Sequence, residues 1–493
     1  MVKTTLMTGL LLAAMTQKGM AQAGEARLET ALSFEKEGRF EEALVNYERL
    51  FDSGASQDIV LKAKLGAGRI YLEVMGEVKK ASALFNEVSA QVTYPDLAAR
   101  ALAGNGKALL AAASDADDVD QAASEFEAVM RTYPDSPAMT EALMSSARLF
   151  EMQRKYDRAV SNYQALVVEH PSAESVSEAF RRLGRSLLKI GALPPALVAY
   201  QKAQEGRAGS VEALWARQEA TLVCRLFLPL SRQPPFQARL LASKSDALKL
   251  DSPSRIVVLE DGNIEIEDKN RFFRLSPSGE LLPSRTASRF DFQSPSGQGY
   301  RLTRNGFSAG DGARPLIPYF FKEDKRKHFK EITALAATRY QTIMISARDP
   351  DGLYFVDRES GEASPRHASG GGSPRMRLDS EDNFYVLTRD GSAVLILNRW
   401  GSLVHRVDKD SLGMKEISDF ALDTLDNLYL LDEKGQFIVL GAVSRADGRY
   451  LKPLHRQPVL DARSKPLSDL RVLTVDKDGT VYLASKRQVI ALR

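Results

Sequence analysis

Cysteine is nearly missing from this sequence: its 493 residues hold one, Cys224, beside five histidines and two tryptophans. A lone thiol excludes an intramolecular disulfide and any cysteine-built metal site, because both need converging sulfurs. A surplus of one charge sign is missing too. Lys and Arg outnumber Asp and Glu by only three, which gives no general attraction to nucleic acid or an anionic membrane. No GxSxG nucleophile elbow occurs. Long apolar runs are confined to Leu6–Met15, about half the length a membrane-spanning helix needs.

That run follows Lys3 and precedes Ala21-Gln22-Ala23, a small-x-small cleavage signal. Cation, short apolar stretch and small residues together read as a signal peptide over 1–23. No cysteine follows the run, so the lipid attachment of bacterial lipoproteins is not expected. The mature chain is expected to be soluble in the periplasm, with no transmembrane segment.

What the sequence does have is internal repetition. Ala43, Ala81, Ala122, Ala159 and Ala196 recur at separations of 38, 41, 37 and 37 residues. Four residues after each comes an aromatic (Tyr47, Phe85, Phe126, Tyr163, Tyr200), and three further on an apolar residue (Leu50, Val88, Val129, Leu166, Ala203). Steps of four and three keep all three on one helix face. Ala31, Ala147 and Gly184, twelve residues upstream of three of these alanines, mark a preceding helix in close contact. The stretches ALSFEKEGRFEEALVNYERL, ARLFEMQRKYDRAVSNYQAL and LGRSLLKIGALPPALVAYQKA resemble the tetratricopeptide repeat of cell-envelope proteins. The resemblance covers about residues 25 to 205 and implies five helical hairpins, with a capping helix from Val211 to Leu226.

Two motifs inside the repeats tempt a chemical reading. ALAGNGKALL lacks the first glycine of a phosphate-binding loop, having Ala101, and has Ala108 where Ser or Thr should follow the lysine. Close helix packing is the expected role. SDADDVD, Ser114 to Asp120, lacks the turn glycine and final glutamate of a calcium loop. It reads as a helix cap.

After the prolines of PLSRQPPFQ the sequence becomes β-rich and glycine-punctuated. LDSEDNFYVLTRDG, LDTLDNLYLLDEKG and VDKDGTVYLASKRQ align without gaps, their first aspartates being Asp379, Asp423 and Asp476. Weaker copies begin at Ala336, Ser294 and Val258. About six units of propeller-blade length result, and they resemble an NHL-type six-bladed β-propeller. Asp423 and Asn427 are expected to bond backbone at a turn, with Asp246–Leu250 supplying the strand that closes the ring. The overall expectation is a multi-domain chain: leader 1–23, all-α solenoid 24–227, linker 228–245, all-β propeller 246–493.

Chemistry finds little support in the sequence. His328, His367, His405 and His455 recur at 39, 38 and 50 residues, but the last three follow late glycine turns and belong on outer strands. No catalytic, metal or cofactor-binding residue is expected, and no cofactor. The cluster KEDKRKHFK, Lys322 to Lys330, could dock an acidic partner. The favoured candidates are Arg148 in the fourth repeat and Arg181, Arg185 and Lys189 in the fifth, the last three four apart on one face. They suit an acidic peptide or a C-terminal carboxylate of a protein partner. The expected function is an exported, non-catalytic adaptor of a cell-envelope complex that binds proteins and no nucleic acid. The alternative is a periplasmic propeller lyase, hydrolase or ligand sensor with the helices as docking arm.

Overall fold

The computed structural model describes residues 22–493 except 114, 207–208, 229–235, 246–247, 260, 270, 284–291, 296–297, 311–313, 340–341, 359, 368–374, 433, 443–450 and 461–464. The leader's apolar run therefore lies outside the described residues. The chain divides into two compact units, one ending at Ala179 and the other running from Phe180 to Arg493.

The first unit is made of antiparallel helix pairs. Its helices are α1 (22–36), α2 (Phe40–Phe51), α3 (Gln57–Ile70), α4 (Val78–Ser89), α5 (Pro95–Ala112), α6 (Ala116–Thr132), α7 (Met139–Met152) and α8 (Tyr156–Glu169), followed by the start of α9 (Val176–Lys189). Local chemistry sets their ends. Pro95 opens α5, where its missing N–H costs nothing. Asp115 caps α6 by accepting from the amides of Asp117 and Asp118 at 3.0 Å, the role expected of SDADDVD.

The small-aromatic-apolar triplets form the core. All but Phe85, which is 3% exposed, are fully buried. Small residues on the first helices let the rings approach. A Cβ on Gly68 or Gly104 would lie within 2.8 Å of the Phe85 ring, and one on Gly106 within 2.8 Å of Phe126. Thus GNGK is a packing motif. An alanine there would collide with aromatic carbon, so the glycines answer a steric demand.

The second unit contains the rest of α9, then α10 (Leu193–Gly206) and α11 (Val211–Phe227), and a series of β-sheets. Four complete sheets follow chain order: β2–β5 (Pro253–Leu282), β11–β14 (Glu331–His367), β15–β18 (Met376–Asp408) and β19–β22 (Asp419–Pro458). A fifth joins β23 (Leu470–Val475), β24 (Val481–Ser485) and β25 (Gln488–Leu492) to β1 (Ala238–Ser243). The arrangement is propeller-like, with five four-stranded blades among the described residues and not the six expected. Between Phe292 and Ala309 lies a three-stranded sheet, β6–β8. Its strands are two to four residues long, and the neighbouring Leu316 makes only an isolated bridge to Phe307. Sequence here offers single large apolar residues instead of the alternating runs that bury both faces of a blade. A two-stranded hairpin, β9 (Tyr319–Lys322) and β10 (Lys325–His328), follows.

The ring does close through an early strand, but earlier residues supply it. Ala238–Ser243 pairs with β25; of the expected Asp246–Leu250, residues 246–247 lie outside the described residues, and Leu248 and Leu250 go into the core between the first and last blades. This pairing hides an edge that would otherwise recruit another strand. Blade faces pack on their neighbours: Leu428 and Leu430 enter one inter-blade core, and Tyr429 and Leu431 the other.

Candidate functional site: cations at a repeated helix position

The blade aspartates make turns. Asp423 Oδ1 accepts from the amides of Leu425 and Asn427 at 2.9 Å, and Oδ2 from Asn427 Nδ2 at 2.8 Å and the Tyr429 hydroxyl at 2.9 Å. Asp379 and Asp476 bind the corresponding backbone amides. Asp432 serves the next turn, where Oδ1 accepts from the Gln436 amide at 2.8 Å. Burial pushes the Asp423 carboxyl up to about 6, against the hydrogen bonds from Asn427 and Tyr429.

Three residues beyond each first aspartate stands a residue with positive φ: Asp382 (63°), Asp426 (65°) and Gly479 (77°). Each addresses a different neighbour. Asp382 Oδ2 accepts from Arg339 Nε at 2.7 Å. The Gly479 carbonyl accepts from Arg225 Nη1 at 2.8 Å, and a Cβ there would lie 2.1 Å from Leu222 Cδ2 of α11. Asp426 receives α9.

Arg185 Nη2 donates to Asp426 Oδ2 at 3.1 Å, and Lys189 Nζ donates to the same oxygen at 3.2 Å. Ser380 adds its amide to Oδ1 and its hydroxyl to Oδ2, both at 2.8 Å. One turn earlier, Arg181 donates to Glu212 at 2.6 Å and Glu219 at 2.8 Å. Arg181, Arg185 and Lys189 thus meet Glu212, Glu219 and Asp426, three cations against three acids. Burial alone would raise the Asp426 carboxyl, but Lys189, Arg185 and Ser380 hold it below the ordinary value. Burial raises Glu219 despite Arg185 and Arg181.

The expected docking stripe is therefore not open. Arg181, Arg185 and Lys189 side chains are 6%, 12% and 4% exposed, and the acids they hold belong to the same chain. A 330 Å³ cleft touches Arg181, Arg185, Trp215 and Lys477, yet both guanidiniums already spend donors on buried carboxylates. Arg148 pairs with Glu178 and remains partly exposed.

The sequence reasoning missed the open counterpart. Arg148 and Arg185 follow the small residues Ala147 and Gly184; Arg69 and Lys107 likewise follow Gly68 and Gly106. A cation directly after the small residue of the first helix recurs in four repeats, and that recurrence was readable. Arg69 and Lys107, with Lys62 and Arg100 seven residues before them, border a 540 Å³ groove on α3 and α5 whose apolar lining includes Leu28, Leu32, Leu65, Leu72 and Leu97. Seven residues are two helical turns, so each pair shares a face. Lys62 pairs with Asp58 at 2.7 Å, Arg69 with Glu35, and Lys107 with Glu141. Arg100 meets no acid among the described residues.

Other sequence candidates fall elsewhere. His367, His405 and His455 lie on the fourth strands β14 (Ala363–His367), β18 (Leu403–Asp408) and β22 (Leu451–Pro458). Among the described residues no group of three or more His, Cys, Asp or Glu is arranged to hold a metal, and no helix is long and apolar enough to cross a membrane.

Residues 141–173, the α7–α8 hairpin, match the tetratricopeptide repeat family. That hairpin is one repeat unit of the helical region. A tetratricopeptide repeat protein of Thermus thermophilus is 18% identical, the match covering 40% of this chain and 99% of that one at a TM-score of 0.33. YrrB, described as having an unusual peptide-binding site, is 18% identical over 39% of this chain and 90% of its own, with a TM-score of 0.27. PilF of Pseudomonas aeruginosa is 14% identical over 43% and 95%, with a TM-score of 0.34. No curated protein matches the chain.

Proposed function

We propose that this chain is an exported, non-catalytic adaptor of a bacterial cell-envelope complex, working in the periplasm and carrying an NHL-type propeller. The leader pattern around Lys3, Leu6–Met15 and Ala21-Gln22-Ala23 supports export. The α3–α5 groove carries the binding reading. Leucines between two cation pairs suit a peptide whose apolar residues fill the groove while flanking acids meet Lys62, Arg69, Arg100 and Lys107. Arg148, seven residues beyond the groove's Glu141 on α7, continues the cationic face toward such a partner. Arg185 and Lys189 hold α9 to the turn that carries Asp426, and Arg181 ties α9 to Glu212 and Glu219 on α11.

Selection of displayed random peptides on the full chain tests this. Enriched peptides should carry Asp or Glu beside apolar residues, and Arg69→Glu/Arg100→Glu should weaken them about tenfold or more. Selected peptides indifferent to both substitutions would refute the groove as the partner site.

A further inference from the structure

The β9–β10 hairpin has one open edge among the described residues. Glu323 and Asp324 have φ of 52° and 56°, and the register pairs Lys325 with Lys322 and Arg326 with Phe321. Two loop residues with positive φ make a tight hairpin whose flanking pair, Lys322 and Lys325, is hydrogen-bonded. The alternation of antiparallel pairs then turns the N–H and C=O of Arg326 away from β9. Among the described residues β10 has no other neighbour. The far side of β9 is taken, because the Tyr319 amide donates to the Gly361 carbonyl at 3.0 Å.

The hairpin's base is fixed: Phe320 packs on Phe329 with centroids 5.0 Å apart, and Phe329 on Tyr354 at 4.8 Å. Its edge is cationic, with Lys325, Arg326, Lys327 and His328 all exposed. Lys322, Lys325, Arg326 and Lys327 meet no carboxylate among the described residues. One face carries Lys325 and Lys327. The other carries Arg326, stacked 3.7 Å over the Tyr319 ring, and the exposed Phe321.

We propose that the free edge of β10 accepts an extended acidic segment of a partner protein as an added strand. Main-chain bonds would come from Arg326, acids would face Lys325 and Lys327, and apolar side chains would alternate toward Phe321. A second copy of this edge is repelled by its own charge. The acidic tip, Glu323-Asp324, opposes tip-first approach to a bilayer or a phosphate backbone. One exposed ring is too little apolar surface to enter a membrane.

The test uses the full chain and a fluorescent peptide of about six alternating Glu and Val residues, followed by anisotropy. Measured on a background of Arg69→Glu/Arg100→Glu, which removes the groove's contribution, Lys325→Glu/Lys327→Glu should weaken binding about tenfold or more, which separates this edge from the groove. A Glu-Pro peptide of equal charge cannot complete a strand and should bind at least about tenfold more weakly. Hydrogen exchange on the unsubstituted chain should show the Arg326 amide protected when the Glu-Val peptide is bound. Equal binding of the Glu-Pro peptide, no protection at Arg326, or no Glu-Val binding at millimolar concentration would each overturn the proposal. So would phosphatidylserine vesicles or oligothymidine losing affinity for the doubly substituted chain while the peptide does not.

Discussion

Arg69 and Arg185 occupy the same place in their repeats, each directly after a first-helix glycine, and their surroundings are opposite. Arg69 is 51% exposed beside an open groove and pairs with Glu35. Arg185 is 12% exposed and reaches Asp426, a residue 241 positions away in sequence. A helix-face charge pattern states where a cation points along its helix, but what lies opposite is decided by the fold. Charge recurrence thus reveals a face, and tertiary structure decides whether that face binds a partner or the chain itself.

The largest effect should come from removing the acid. Asp426→Ala removes the carboxylate that buried Arg185 and Lys189 share, leaving Arg185 with Glu219 at 3.7 Å and Lys189 with the Leu425 carbonyl at 3.3 Å, which costs about 3–5 kcal/mol. Urea unfolding should show that loss in the unit containing the propeller, and a loss below about 1 kcal/mol would mean the cluster is solvated.

Gly479 stands in the third turn where Asp382 and Asp426 stand in the other two. Gly479→Asp would make it like Asp382 and Asp426, but its Cβ would meet Leu222 and its φ of 77° disfavours a side chain. A cost of about 1–3 kcal/mol is expected in thermal or urea unfolding. A neutral substitution would show that α11 can move off that turn.

The turns were legible because their chemistry is local. Asp423, Asn427 and the strand that follows lie within a few residues of each other, and the copies at Asp379 and Asp476 align without gaps. Helical repeats were legible for a similar reason: ring and small residue sit a fixed number of turns apart. Asp426 was not, since an αL turn residue and a buried ion-pair acceptor look identical until α9 is placed. The blade count failed where β6–β8 has too few apolar residues to declare its strands. The groove cations have a signal that runs across helices, a cation after Gly68, Gly106, Ala147 and Gly184, whereas Arg181, Arg185 and Lys189 form a stripe along one helix.

A smaller effect is expected with pH. Burial puts Asp423 at about 6 in the folded chain, against about 3.9 when unfolded. The folded state therefore binds more protons between those values, so this group makes stability fall as pH rises through that window. Asp423→Asn should flatten the slope between about pH 4 and 6 in urea midpoints. An unchanged slope would place the titration elsewhere.

Least of all should be the stability change on Arg69→Glu/Arg100→Glu. Both lie on an accessible face, and unfolding midpoints should move by no more than about 0.5 kcal/mol per site. A larger shift would make the groove a structural element like the α9 cluster.

The difference between the two arginines can be read most directly by phenylglyoxal modification of the native full chain, followed by mass spectrometry. Arg69 and Arg100 should react in the folded protein and be shielded when a selected groove peptide is bound. Arg181 and Arg185 should stay unmodified until denaturant is added. Arg185 reacting as fast as Arg69 in the folded chain would contradict the account.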